Sequence, residues 1–423
     1  MNLYLRIKHI LSFFIILLFS SLTIAQTAKG PASFSIIEYN ILPFGASKIL
    51  TLNSKVSYQN LVFIKQENHF VAGYSIEYTL RMDNTVIDRK VTNKTVTSLN
   101  YEHTIDENYF GESSISFEVQ EGDITIYPIL TINNTDRSIL LDSIRIEISE
   151  IVKNGIYFPI VIDKLLLEYE NINSFRLVNN QNTIPFSNQS IQLLIPVEDS
   201  LKSISSIKVE QNGKEIINYS NIEFNNDRLK IVECKNGIGI SVDDAVTFTK
   251  YFIIENFSNK LKEGPAKIVI EINNEVSIKH TLLVKWNNKP FSLSNIELAL
   301  EILEAVIGKD QFSKHFNGKK KEQHAAFMAY WDNFLPNREN EFNELMNEFY
   351  SRADYTLKNF STVNMRNGAK SDRGITYIKY GKPDEIIRDY SGKRVIEIWN
   401  YNNLNRQFIF SDNTGLGNFK LES

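Results

Sequence analysis

The 423-residue chain carries 46 Lys and Arg against 50 Asp and Glu, a formal charge of −4 at pH 7, and a single cysteine. A mildly acidic chain with no long basic run excludes the electrostatic footprint of a nucleic-acid-binding protein. One cysteine excludes an internal disulfide, so the fold must rest on burial, for which 43% apolar residues are ample.

Residues 1–25 read as a secretory signal peptide. Arg6 and Lys8 give a basic start, Ile10 to Leu22 an apolar run, and Thr23 and Ala25 small residues before a cut after Ala25. The run is about 13 residues, short of the ~20 that a bilayer core needs. The residue directly after the cut is Gln26 and the only cysteine is the distant Cys234, which argues against a lipid anchor. No later segment is long and apolar enough for a transmembrane helix. The expected location is extracytoplasmic: the periplasm, the outer membrane or the medium.

From about Pro31 the pattern has period two, as in strands. Val62–Ile64, Phe70–Leu80 and Thr85–Val91 alternate, and Asp83-Asn84 between the last two can take the φ > 0 geometry of a tight hairpin. Ser114–Val119, Ile124–Ile132 and Ser143–Ile148 follow. The pattern resets near Lys153-Asn-Gly155. A second β-rich block includes Phe175–Val178, Ser190–Pro196, Ile207–Gln211, Leu229–Glu233, Phe248–Ile254, Ala266–Ile272 and Val276–Trp286. Asn212-Gly213 marks a hairpin turn, and Ile272–Glu275 offers another. Cys234 ends a strand and reads as a small core residue, since no base accompanies it.

The third block is helical at first. Ser294 with Glu297 forms a capping box, Leu298, Ile302 and Val306 share a face, and Gly308 stops the helix. A second helix spans about Lys320–Leu335, with Phe327, Met328 and Trp331 as its stripe, and Pro336 breaks it. Asn337 can cap a third helix running through Phe342, Met346, Phe349, Ala353 and Leu357. After Thr362 the period returns to two, predicting strands at Ile375–Tyr380, Val395–Tyr401, Gln407–Ser411 and Asn418–Leu421. The expected fold is therefore multidomain and mainly β. Two tandem Ig-like β-sandwich domains, 26–152 and 153–290, precede a C-terminal α+β domain, 291–423, of helices plus an antiparallel meander.

The segment from Gly368 to Ile386 resembles the signature of the GWxTD-domain family, exported proteins of Bacteroidetes-type envelopes whose role is undefined. Gly368 and Asp372 match the named pentapeptide, while Ala369 stands where the family has Trp and Ser371 where it has Thr. Asp372-Arg-Gly374 followed by Tyr377-Ile-Lys-Tyr-Gly-Lys-Pro-Asp-Glu385 carries the likeness further. Trp331, Asn340-Glu-Phe342, Phe349-Tyr350, Arg352, Glu397–Tyr401 and Phe408–Asp412 also fit. The first sandwich is similar to the family around Leu61–Lys65 and Phe70–Tyr74. The resemblance implies an exported envelope protein.

Few residues offer chemistry. Asp372 and Arg373 read as a charged pair in the loop entering a strand, able to grip a carboxylate, a phosphate or a partner's backbone, or else an ordinary loop pair. Asp384 lies in the Gly381-Lys-Pro-Asp384 turn; its neighbour Glu385 points the other way on an extended segment, a poor acid/base pair. His315 and His324 lack zinc-site spacing, and no metal or cofactor is expected. Trp399, Tyr401 and Tyr377 form an aromatic strip that packs under a helix or, if exposed, makes a platform for glycans. The expected function is a non-enzymatic envelope protein, a modular scaffold or interaction factor whose partner is another envelope protein. The alternatives are a hydrolase of an envelope polymer with its site near Asp372 and Arg373, and a carbohydrate-binding module.

Overall fold

The computed structural model describes residues 35–422 apart from 107, 170–171, 179–181, 221, 236, 244–247, 274–275 and 336–339. The signal peptide read in residues 1–25, the cap read at Asn337 and half of the 272–275 turn lie outside the described residues. The chain is mainly β, with several antiparallel sheets, as its alternating sequence predicts. Among the described residues, the five helices of seven or more residues all fall after residue 295. Among the described residues no helix is long and apolar enough to cross a membrane.

Two compact units emerge. One takes the described residues up to Glu38, Leu52–Ile115 and Thr125–Ile144; the other takes Tyr39–Thr51, Ser116–Ile124 and the chain from Arg145 onward. The first unit is organised by a long hairpin, His69–Met82 paired with Thr85–Ser98. Its turn is the expected one: Asp83 and Asn84 both have positive φ, 48° and 64°. Two such residues match the right-handed twist of the flanking strands, which is why Asp and Asn are tolerated there. Tyr74, Ile76, Tyr78 and Leu80 supply the buried face. Burial pushes the Tyr78 phenol up to about 12.

The second unit contains a β-sandwich. An eight-stranded and a five-stranded sheet enclose one core, with Ile191, Leu193, Ile195 and Phe252 from the larger sheet and Ile207, Val209, Ile268 and Ile270 from the smaller. Alternate residues of each strand point inward, so period-two text gives a period-two core. The hairpin Ser206–Gln211 and Lys214–Tyr219 turns at Asn212 and Gly213, with φ of 52° and 75°.

His280 is buried in the smaller sheet, with the Phe158 ring edge-on at 4.9 Å. Burial, helped by the nearby charge of Lys153, pulls its pKa from 6.5 down to about 4. An unfolded chain therefore binds a proton over a range in which the folded one does not, so stability falls as pH drops from 6.5 towards 4. The expected loss from this group approaches about 3 kcal/mol. Urea titrations of the parent and His280→Leu across that range should diverge on the acid side. Parallel pH profiles would remove the assignment.

The helices of the second unit are Ile296–Ile307, Lys309–His315, Lys320–Asp332, Glu344–Asn359 and Asp372–Tyr380. Three expectations are corrected here. The first helix is capped by Asn295, not Ser294: the Asn295 amide oxygen accepts the N–H groups of Glu297 and Leu298. The helix through Met346 starts at Glu344, where Asn343 caps it by accepting the Met346 N–H. Ile375–Tyr380 belongs to a helix and is not a strand. Gly308, at φ 86°, ends the first helix as expected. The closing sheet orders Glu385–Asp389, Val395–Tyr401, Arg406–Asp412 and Lys420–Leu421 as an antiparallel meander. Leu300, Ile302, Leu303, Phe327, Trp331 and Tyr350 form the interhelical core.

Candidate functional site

Two places merit examination: the Gly368–Gly374 segment singled out from the sequence, and a cleft that no motif announced. The segment opens with a short 3-10 turn, Gly368–Lys370, in which the Asn367 side chain accepts the Ala369 N–H. Ser371 then caps the helix Asp372–Tyr380. Its hydroxyl accepts the Gly374 N–H at 3.0 Å and donates to the Gly368 carbonyl at 2.6 Å. The Gly374 N–H is one of the donors that a helix start leaves without an intrahelical acceptor, and the Gly368 carbonyl belongs to the turn before it.

Asp372 occupies the first helical position, where its charge suits the helix dipole. Its carboxylate accepts the Leu421 N–H at 2.9 Å and so holds the last strand. Arg373 turns inward and is 9% exposed. It donates to Glu397 Oε2 at 3.0 Å and to the Gly417 carbonyl at 3.2 Å. Its guanidinium lies 4.0 Å over the Phe419 ring and 4.9 Å over Phe360. Glu397, 1% exposed, also receives Arg388 Nε at 2.7 Å and Trp399 Nε1 at 3.3 Å. Asp384 is exposed and accepts the Asn402 N–H at 2.6 Å, bracing the turn it occupies. Asp372 and Arg373 stand at the start of the helix Asp372–Tyr380 and Asp384 follows its end, and each is bonded to the domain's own backbone or side chains.

Asp412 completes this region. Its carboxylate accepts the Thr414 hydroxyl and the N–H groups of Thr414, Gly415, Gly417 and Asn418. Burial alone would raise its pKa; these donors outweigh burial and hold it below the usual carboxylate value. The loop so ordered carries the Gly417 carbonyl to Arg373.

The remaining candidates are packing groups. Trp399 and Tyr401 are buried, and Tyr377 stacks on Tyr355 at 4.5 Å, so the strip packs against helices and offers no flat exposed platform. Burial pushes the Cys234 thiol up, away from thiolate chemistry. His315 meets Tyr330 edge-on at 5.2 Å. Among the described residues no group of three metal-ligating side chains converges.

The cleft has a volume of about 420 Å³. Its walls include Phe186, Trp286, Phe327 and Trp331, with Met328 and Ile296 beside them. Two ion pairs stand on its rim, Lys262 with Glu341 at 3.4 Å and Lys289 with Glu263 at 2.6 Å. The size and apolar lining match small-molecule sites. Sequence reading found Phe327, Met328 and Trp331 only as a helical stripe. Their meeting with Phe186 and Trp286, more than 40 residues earlier, had no local signal.

A family model described as the GWxTD domain matches residues 273–421. No curated protein matches the chain. Among solved structures, a β-glycosidase from Bacteroides vulgatus aligns at 9% identity and a TM-score of 0.17, covering 60% of this chain and 25% of that one. The lysenin pore aligns at 6% identity and a TM-score of 0.11, covering 53% of this chain and 92% of that one. Likeness at those TM-scores carries no argument about fold or activity.

Proposed function

The chain is a GWxTD-domain-containing protein, and from that premise we propose that it is an exported, non-enzymatic envelope protein that works by binding another protein. The observation that carries this reading is an exposed apolar surface on the first unit. Leu99 is 79% and Tyr101 60% exposed, and Ile105, Tyr109 and Phe110 are exposed too. Ring contacts join part of this surface: Tyr101 lies 5.8 Å from Phe70, and Tyr109 stacks on His103 at 4.2 Å. Contiguous exposed aromatics on a soluble domain mark interaction sites. The internal commitments of Asp372 and Arg373 favour binding over hydrolysis, because neither side chain is left free to act on a substrate.

The basic, apolar and small-residue order of residues 1–25 supports export. Fractionation of a tagged full-length chain should place it outside the cytoplasm. A photo-reactive residue in place of Tyr101 should then give one discrete adduct, lost in the Leu99→Asp/Ile105→Asp variant. Cytoplasmic retention, or cross-linking without any adduct, would overturn the proposal.

A further inference from the structure

We propose that the cleft between Trp286 and Trp331 binds a small amphiphile with an apolar body and a cationic, alkylammonium-type head. This goes beyond the protein-binding reading and does not depend on it. The cleft is preformed. Phe186, Trp286 and Phe342 interlock edge to face at 5.3 to 5.5 Å, fixing one wall. Trp331 is wedged against Phe349 at 5.3 Å and Tyr350 at 5.7 Å, fixing the other. Such walls do not collapse into the space between them, and a cleft of about 420 Å³ with aromatic walls favours a hydrocarbon body. Met328, 52% exposed, gives the wall a deformable thioether side.

The charge of the rim selects the head. Lys262 and Lys289 are each matched by a glutamate. Asp332 is a third carboxylate on the same rim, exposed and without an ion pair among the described residues. Among the described residues the rim therefore carries one surplus negative charge. The wall also already holds a cation in the required way: Lys289 Nζ lies 5.3 Å from the Trp286 ring centroid while bonded to Glu263. An ammonium between an aromatic face and a carboxylate is the arrangement that recognises alkylammonium groups.

Other ligand classes fit less well. A phosphate or carboxylate head would meet the surplus acid. A sugar needs many hydrogen-bonding groups, and the Asn343 amide in the wall is already engaged, donating one N–H to the Trp331 carbonyl and accepting the Met346 N–H.

The test uses the full chain with three probes of one tail length, each below its micellar concentration: dodecyltrimethylammonium, dodecyl maltoside and dodecyl sulfate. Two of the three tryptophans line the cleft, so intrinsic fluorescence reports occupancy, and calorimetry gives the affinity. Saturable binding of the cationic probe, about tenfold tighter than the neutral one, is expected. In Asp332→Lys, an exposed change that leaves the melting temperature unaltered, that preference should vanish. Equal binding of the cationic and neutral probes, preference for the sulfate, absence of saturable binding, or a preference that survives Asp332→Lys would each overturn the proposal.

Discussion

Replacing Gly374 by Ala is expected to cost the C-terminal domain about 3 kcal/mol or more, although Ala is the better helix former by about 1 kcal/mol. A Cβ on Gly374 would lie 2.0 Å from the Gly368 carbonyl oxygen and 3.0 Å from two Ala369 backbone atoms. Gly368 is itself pressed on the end of the long helix, where a Cβ would lie 2.3 Å from the Thr356 oxygen and 2.5 Å from the Ser361 nitrogen. All of these neighbours are backbone, so no rotamer change relieves the overlap. Three backbone segments are stacked without a side chain between them. Gly392→Ala is the control, since its Cβ would meet nothing closer than 3.8 Å and should change stability by no more than about 0.5 kcal/mol. Urea unfolding of the two variants should separate them clearly. Equal midpoints would mean that the close approach at Gly374 is absent.

That stacking explains which parts of this region were legible in the sequence. Turns such as Asp83-Asn84 and Asn212-Gly213 were readable because their requirement is local: residues that tolerate positive φ. The helix Asp372–Tyr380 was not. Ile375 and Tyr377 alternate with polar residues as a strand would, although both are only half-buried and it is Gly374, Thr376 and Ile378 that are buried. A nine-residue helix spans only about two and a half turns, too few for its helical period to outweigh that local alternation. Only Ser371 and the missing side chain of Gly374 hinted at a helix start. Strand Glu385–Asp389 was missed for the opposite reason. All five of its residues are exposed, so burial left no alternation to read. The family signature was legible as a string, yet its physical content depends on contacts with Thr356, Glu397, Gly417 and Leu421, which no local pattern reveals.

Glu397→Ala should be the second severe change, removing roughly 3–5 kcal/mol. Its carboxylate sits on the inward face of the strand Val395–Tyr401 and receives Arg373, Arg388 and the Trp399 indole. The two arginines would respond differently to its loss. The Arg388 side chain is 54% exposed and would be rehydrated, so Arg388→Ala alone should cost no more than about 1 kcal/mol. Arg373 is buried between two aromatic rings and would keep its charge without a counter-ion. Most of the penalty should therefore sit on Arg373, and a double substitution tests that directly. Arg373→Met with Glu397→Leu removes both buried charges and keeps the volume, so it should recover most of the loss, as replaced buried pairs often do. Chemical unfolding followed by the fluorescence of Trp399, which contacts the same carboxylate, would measure all three variants. A double variant no more stable than Glu397→Ala would mean that the pair, and not an isolated charge, holds the helix Asp372–Tyr380 to the sheet.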